Sequence, residues 1–511
     1  MNQTVVKITI GSHFFKLTHI HPSVKTIIND FARRYIKFKL VKDNRGSFKR
    51  TPDAVFGAAT ANREEYRFHI NQYQEFRDLL KMKNYTDNLL DIVVKPIPLG
   101  ISYEFDVKDI WVPRDYQIPV IEYFCAPDGS RSRIVEIQTG KGKTFSALYS
   151  LSKVGVRFAI LLRPMYIGKW VEDLQKIYNI SPTEIMVVQG GKSLQALLHL
   201  AVTGGLDNIK VIIISNKTYQ SWLSTYEDTN GETVELGYPI HPEDFFETIG
   251  CGVRLIDEIH LDLHLQFKTD LYTNIFRSFA LSATFFSNDR FVEHVQEIMY
   301  PLDTRYKGGE LDKYVIATAC FYSIKNMRNI RTKERGSESY SHIAFEKSIR
   351  RDNIQLANYL RMTKHLVDEF FMCDYVPGQR CAVFAASIDM CTIMVNSLRK
   401  AYPHLNINRF AEDDPDENLY QSDISVTTVQ SGGTAHDIDK LKAVIMTNSL
   451  DSKASNVQTL GRLRYNSTMV TRFAYLVCTD IPKQMDYHYK KVTMLEERAK
   501  AYREYVVPIA V

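Results

Sequence analysis

Nowhere in the 511 residues does an apolar run approach the roughly 18 residues that a membrane-spanning helix needs. The start does not read as a signal peptide either, because Lys7 and Lys16 stand inside the alternating, strand-like stretch from Met1 to Leu17. A membrane or secretory role is therefore not expected, and the cytoplasm (of a host cell, for a phage-encoded chain) is the expected compartment. Cysteine is scarce: Cys125, Cys251, Cys320, Cys373, Cys381, Cys391 and Cys478 are scattered, with no C-x-x-C pair. Structural zinc and a disulfide framework are thereby disfavoured, and the thiols are expected to be reduced core fillers. No low-complexity segment, heptad repeat or partner-binding motif stands out, so a monomer is the default.

What is present is an ordinary globular composition, 45% hydrophobic and 24% charged, in a chain too long for one core. Two to four domains are expected. The net charge of +5 hides an asymmetry. Residues 1–50 hold eleven Lys/Arg against two Asp, a balance of +9 that leaves −4 on the remaining 461. Positive charge concentrated at one end suits a phosphate-binding module, although a solvated basic face with no ligand would look the same.

The first hundred residues read as a small α+β module. Strands are expected at Val5 to Ile10 and Phe14 to Thr18, a helix from Pro22 and Ser23 to about Tyr35, and a strand from Ile36. In that last strand Tyr35, Lys37 and Lys39 point one way and Ile36, Phe38 and Leu40 the other, so one face can pack and the other can meet phosphate. Arg34, Lys37 and Lys39 are the candidate nucleic-acid contacts. A loose polar stretch is expected from Asn44 to Arg63, then strand, helix and strand at Tyr66 to Ile70, Tyr73 to Met82 and Leu89 to Val94, with an exit linker at Pro96 to Gly100.

From Arg131 the pattern changes to short β-branched runs alternating with helical ones: Ile134 to Ile137, Phe158 to Leu162, Ile185 to Val188, Val211 to Ile214, Val253 to Ile256 and Phe279 to Ser282. That alternation predicts a parallel sheet covered by helices on both faces. It recurs after residue 350, at Ala382 to Ala385, Ile407 to Phe410, Ser425 to Val429, Ala443 to Thr447 and Phe473 to Cys478. Asn329 to Glu338 reads as a linker or exposed insertion, and Gln484 to Tyr505 as helix. The expected domains are 1–103, 104–310 and 311–511.

Two motifs carry chemistry. Thr139-Gly140-Lys141-Gly142-Lys143-Thr144 lies between an expected strand and a helix from Thr144 to Leu151. Glycines let backbone amides close on phosphates, Lys143 can reach the β and γ phosphates, and Thr144 can ligate magnesium. The motif is incomplete, with Ile137 where a full P-loop has glycine. Asp257-Glu258-Ile259-His260 comes after an apolar strand, placing two carboxylates where open α/β sheets bind ligands. Asp257 is then the magnesium residue and Glu258 the one that orients the attacking water. A rival reading takes His260, Asp262 and His264 as a metal cluster.

Together these elements resemble motifs I and II of superfamily 2 helicases, and other motifs occur in that family's order. Arg114-Asp115-Tyr116-Gln117 resembles the R-x-Y-Q element whose glutamine reads adenine. Leu161-Leu162-Arg163-Pro164 and Ser215 to Tyr219 resemble motifs Ia and Ib, Ser282-Ala283-Thr284 motif III, and Val383-Phe384-Ala385 motif IV. Thr427-Thr428 with Gly432, Gly433 and Asp437 resembles motif V, its usual G-x-D ending replaced by Ala435-His436-Asp437. Gln458 to Arg464 resembles motif VI, with Arg464 one residue early and Tyr465 in the expected place of the second arginine.

The resemblance spans about residues 110–480. It implies two tandem RecA-like lobes, ATP and Mg2+ as cofactors, and a DNA substrate (single-stranded, forked or junction) gripped through Arg163, Pro164, Thr218 and Thr428. It also implies a nucleotide held by Arg114, Gln117, the phosphate loop and Asp437, with Arg462 and Arg464 on the transferring phosphoryl group. Within the superfamily the layout is most similar to bacteriophage UvsW-type recombination and repair helicases. An RNA substrate, translocation along duplex DNA without strand separation, and a binding protein with an inactive ATPase are the alternatives; the last predicts erosion of Lys143, Asp257, Glu258 or Arg462, and all four are present.

Overall fold

The computed structural model describes residues 4–42, 47–285, 287, 289–309, 312–334, 339–411, 414–432 and 438–511. The chain divides into two compact units, Met1–Ile137 with Lys141–Gly308, and Gln138–Gly140 with Gly309–Val511.

The first unit contains a seven-stranded, all-parallel sheet in the order Ile185–Val188, Val211–Ser215, Phe158–Leu162, Val253–Ile256, Arg277–Ser282, Ser132–Glu136, Arg305–Lys307. The central strands are buried along their whole length because both faces are covered, which is why Phe158–Leu162 and Val211–Ser215 are continuous apolar runs. The second unit is built on a second seven-stranded parallel sheet: Ile407–Phe410, Ile424–Thr428, Arg380–Ala385, Leu441–Met446, Thr471–Cys478, Val315–Tyr322, Ala501–Val506. Counted along the chain, both sheets have the order 3-4-2-5-6-1-7. These are the two tandem RecA-like lobes, and a small α+β module precedes the first.

That module is a five-stranded sheet, Ala58–Ala59, Tyr66–His69, Phe14–Thr18, Val6–Ile10 and Leu90–Val94, against which the helices Pro22–Arg34 and Tyr73–Met82 bury Ile28, Phe31, Phe76 and Leu80. Its core is continuous with that of the first lobe. Charged groups seal the junction. The Arg67 guanidinium, 1% exposed, donates to Glu243 at 2.5 Å and Glu65 at 2.6 Å, and Lys16 reaches Glu243 at 2.8 Å. Burial alone would raise the Glu243 carboxyl, but Arg67, Lys16 and Lys95 hold it well below the usual carboxylate range. A second buried pair, Arg254 with Asp270, lies under the module beside His69.

Three expectations are corrected. Within the stretch expected to be loose, Phe48–Val55 is a strand that pairs with Ile36–Lys42 in a separate antiparallel hairpin, and Ala58–Ala59 joins the five-stranded sheet. The strand pattern of the second lobe begins not after residue 350 but with Val315–Tyr322, which lies between Thr471–Cys478 and Ala501–Val506 in its sheet. The C-terminal helix ends at Arg498, and Ala501–Val506 continues as an edge strand. Five of the seven cysteines are buried, Cys125 is half-buried and Cys373 is exposed. Among the described residues no helix is long and apolar enough to cross a membrane.

Candidate nucleotide site

Strand Ser132–Glu136 leads into the turn that contains Thr139, and helix Lys143–Val154 leaves it. Gly140 and Gly142 adopt φ of +90° and +76°, conformations that side chains disfavour, and a Cβ on Gly142 would collide with the Gln117 amide. The turn delivers Lys143 and Thr144 to the first turn of the helix, where free amides and the helix dipole favour phosphate. Gln117 ties the R-x-Y-Q element to this turn: its Oε1 accepts from the Arg114 amide at 3.0 Å and its Nε2 donates to the Lys141 carbonyl at 3.1 Å. Arg114 donates to the Tyr116 hydroxyl at 3.0 Å, and the Lys141 ammonium lies 4.9 Å from the Tyr116 ring centre.

Asp257 and Glu258 leave the carboxyl end of Val253–Ile256. The Asp257 carboxylate accepts from the Trp170 indole N–H at 3.0 Å and from the Glu258 amide at 2.9 Å, which fixes both oxygens. Glu258 sits at φ +46°, ψ +49°, a left-handed conformation that costs a non-glycine residue about 1 kcal/mol. Its Oε1 lies 3.5 Å from the Lys143 Nζ and its Oε2 3.4 Å from His260 Nδ1. Burial, then the neighbouring Glu258 charge, push the Asp257 carboxyl up to about 6, with Lys143 pulling the other way.

An acidic pair facing one lysine is a donor set short of positive charge. Carboxylate and hydroxyl oxygens at Asp257 and Thr144 fit Mg2+, which needs few protein ligands when phosphates and water complete its shell. The pair is linked directly to the end of the neighbouring strand Arg277–Ser282: His260 Nδ1 and Ser282 Oγ are 2.9 Å apart, and Ser282 also bonds the backbone of Thr284. Burial lowers the His260 pKa, so the ring is neutral at pH 7.

The other predicted residues of this lobe have defined partners. Arg163 clamps Asp262 through two bonds of 2.8 and 2.7 Å and reaches the Leu261 carbonyl at 3.0 Å, while Pro164 opens the short turn Pro164–Tyr166. Thr218 Oγ accepts from the Gly190 amide at 2.7 Å. In the N-terminal module Arg34 pairs with Glu75, Lys37 with Asp289 and Lys39 with Asp53, at 2.8, 2.7 and 3.0 Å.

The rival metal cluster is not assembled. His260 engages Ser282 and Glu258, Asp262 holds Arg163, and His264 meets the Val55 carbonyl at 2.9 Å. Among the described residues no group of three or more His, Cys, Asp or Glu is placed to hold a metal.

In the second unit, Thr428 ends a buried strand and its Oγ accepts from the Ser431 amide at 3.3 Å. Arg462 is buried just beyond helix Lys453–Leu460, and the Arg464 guanidinium donates to the Gly461 carbonyl. Tyr465 is 71% exposed. Asp437, with Gly433, Ala435 and His436, lies outside the described residues.

Sequence reasoning missed Trp170 and the Arg163–Asp262 clamp. Their partners stand 87 and 99 residues away, and no local pattern announces such pairs.

The fold of two tandem RecA-like lobes is shared with solved structures of other proteins. Among solved structures, the chain is similar to S. cerevisiae Dbp5 bound to RNA and ADP-BeF3, at 10% identity over 78% of this chain and 90% of that one, with a TM-score of 0.51. It is also similar to the DEAD-box helicase Mss116 bound to ssRNA and UDP-BeF, at 15% identity over 76% and 74%, TM-score 0.50. T4 UvsW aligns over 98% of this chain and 99% of its own at 13% identity, with a TM-score of 0.32. No protein-family model and no curated protein sequence matches the chain.

Proposed function

We propose that the chain is an ATP-driven DNA helicase or translocase that unwinds or branch-migrates forks and junctions. The observation that supports this most is the half-buried Asp257–Glu258 pair, its Asp257 fixed by Trp170, its Glu258 facing Lys143, and linked through His260 to Ser282. Gln117 and Arg114 hold the adenine side of the nucleotide, and the amides around Lys141 to Thr144 with the Lys143 ammonium hold its phosphates. Glu258 accepts a hydrogen bond from the attacking water and orients it. Bound Mg2+, held by Thr144 and Asp257, would neutralise phosphate charge. From the second unit, Arg462 stabilises charge on the transferring phosphoryl group with Arg464 beside it, an effect that can reach about a thousandfold in rate. Asp437 is proposed as a further nucleotide contact.

Arg163, Pro164, Thr218 and Thr428 are proposed contacts to the strand backbone, and Arg34, Lys37 and Lys39 a second electrostatic grip, so sequence specificity should be low. A role in repair or recombination would suit such a motor. RNA is the second reading, since Dbp5 and Mss116 carry RNA in their structures. The test is ATP turnover with no nucleic acid, single-stranded DNA, forked DNA, four-way-junction DNA and single-stranded RNA, in wild type and Glu258→Gln. Stimulation by branched DNA, lost in the variant, is expected. Stimulation by RNA alone would transfer the proposal to RNA, and no stimulation by any of them would end it.

A further inference from the structure

Arg163 stands just beyond strand Phe158–Leu162, and its guanidinium is held by the turn that comes after Glu258. Its Nε donates to Asp262 Oδ2 at 2.8 Å, and one terminal amino group donates to Asp262 Oδ1 at 2.7 Å and to the Leu261 carbonyl at 3.0 Å. Asn216, the first residue of helix Asn216–Asp228, has its Nδ2 3.4 Å from the same Asp262 Oδ2. Arg163, Asn216 and Asp262 lie past the carboxyl ends of three adjacent strands, Phe158–Leu162, Val211–Ser215 and Val253–Ile256, so one carboxylate ties three strand ends together.

The clamp is not a core interaction. The Arg163 and Asp262 side chains are 36% and 21% exposed, so the guanidinium meets solvent while it holds the carboxylate. A guanidinium fork fits the paired oxygens of a carboxylate and of a phosphate alike. A backbone phosphate arriving from solvent therefore offers Arg163 the bonds that it already makes. When Arg163 turns to the phosphate, the Asn216 amide stays beside Asp262 Oδ2, which lowers the penalty of leaving that carboxylate without its partner.

The same turn carries Glu258. The Leu261 amide donates to the Glu258 carbonyl at 2.9 Å across the short helical turn Ile259–Leu261, and Glu258 has the left-handed φ of +46° with its Oε1 3.5 Å from Lys143 Nζ. Arg163 thus grips the far end of a turn whose near end is the carboxylate assigned to the attacking water.

We propose that Asp262 is a positioning residue that withholds Arg163 from nucleic acid: a strand phosphate displaces the carboxylate from the guanidinium, and the release of Leu261 and Asp262 frees the turn that sets Glu258. ATP turnover without a strand is thereby restrained. The proposal rests on the motor reading above, and the shared geometry of Arg163, Asp262 and Asn216 is its independent support.

The test compares the full chain as wild type, Asp262→Asn, Arg163→Met, the double variant, and Asp262→Glu, which keeps the carboxylate. Affinity for fluorescein-labelled oligothymidylate and oligouridylate is measured without ATP, and ATP turnover is measured with and without the same strands. Asp262→Asn should bind about tenfold tighter, and Asp262→Glu should stay near wild type. Arg163→Met should weaken binding about twofold in the wild-type background and about tenfold in the Asn background; equal losses would make Asp262 a nearby charge only and overturn the exchange. Failure of the Asn variant to bind either strand would overturn it as well. Turnover without a strand should rise about threefold in Asp262→Asn and not in Asp262→Glu, lowering the stimulation ratio; an unchanged ratio in a variant that binds more tightly overturns the link to Glu258. Unequal losses in binding with no strand-stimulated turnover in any form would support the exchange and count against the motor reading, and stimulated turnover with equal losses would do the reverse.

Discussion

The two lobes share one topology and differ in the residues placed just beyond equivalent strands. After the first strand, the first lobe makes the glycine turn into Lys143–Val154; the second continues from Val315–Tyr322 without a glycine turn, its Ile324 amide bonded to Asp480 at 2.7 Å and its Lys325 amide to the Val511 carbonyl at 2.7 Å. After the fifth strand, the first lobe places Asp257 and Glu258; the second, after Leu441–Met446, places Thr447 and Asn448. A repeated scaffold fixes where strands end, while chemistry is set by the few residues beyond those ends. In the second lobe the amides that a phosphate would need are already spent on the chain itself.

The largest expected effect tests that contrast directly. Lys143→Ala or Glu258→Gln should lower kcat for ATP on the order of 100- to 1000-fold. Lys325→Ala, in the corresponding loop of the second lobe, should stay within about twofold. Equal losses would mean that both loops handle phosphate.

The second contrast is in buried charge. Glu243→Gln would leave Arg67 short of a buried partner and should destabilise the first unit by about 3–5 kcal/mol, read as a lower Tm or by hydrogen exchange in its sheet. Glu243 and Asp270 are held below their ordinary values, so the stability they contribute is present above about pH 4 and is lost as pH falls further. The Gln variant should therefore be less acid-sensitive than wild type.

Glu346 in the second unit has the opposite sign. Burial pushes the Glu346 carboxyl up to about 7, although the Ser387 hydroxyl and the Ala386 amide donate to it and Arg350 lies near. The folded state then binds this proton more tightly than the unfolded chain, so the stability that Glu346 contributes should fall as pH rises from about 4 to 7, against the rise contributed by the buried His342. Glu346→Gln should flatten that decline, a change of about 1–3 kcal/mol at neutral pH, seen as slower exchange in the second sheet alone. The smallest effect is expected from Lys39→Ala on Tm: its pair with Asp53 is exposed, and the loss should be no more than about 1 kcal/mol.

Much of the sheet framework is legible in the sequence. The runs Phe158–Leu162, Ile185–Val188, Val253–Ile256 and Ile407–Phe410 have the bounds that the structure gives; Phe158–Leu162 is the plainest of them, because a central strand buried on both faces favours an unbroken apolar run. Val315–Tyr322 escapes such a reading because alanine, threonine and cysteine dilute its pattern, although its neighbours on both sides bury it. Phe48–Val55 escapes it for the converse reason: a ribbon with no buried face needs no alternation, and Pro52 argues against a strand. Ala501–Val506 is a polar edge strand that reads as a continuation of the helix before it.

By itself the sequence determined the local devices: a glycine turn that only positive φ permits, and carboxylates at a strand end. Each depends on the backbone of residues next to one another, so the pattern along the chain is enough to specify it. Only the tertiary structure decided that Trp170 fixes Asp257, that Arg67 and Lys16 serve a buried junction rather than an open basic face, and that the hairpin Ile36–Lys42/Phe48–Val55 meets His264 on helix Leu263–Asp270 and the Asp289 cap of helix Arg290–Met299. Those contacts join residues far apart in the chain, and burial in a shared core, not local spacing, chooses the partners.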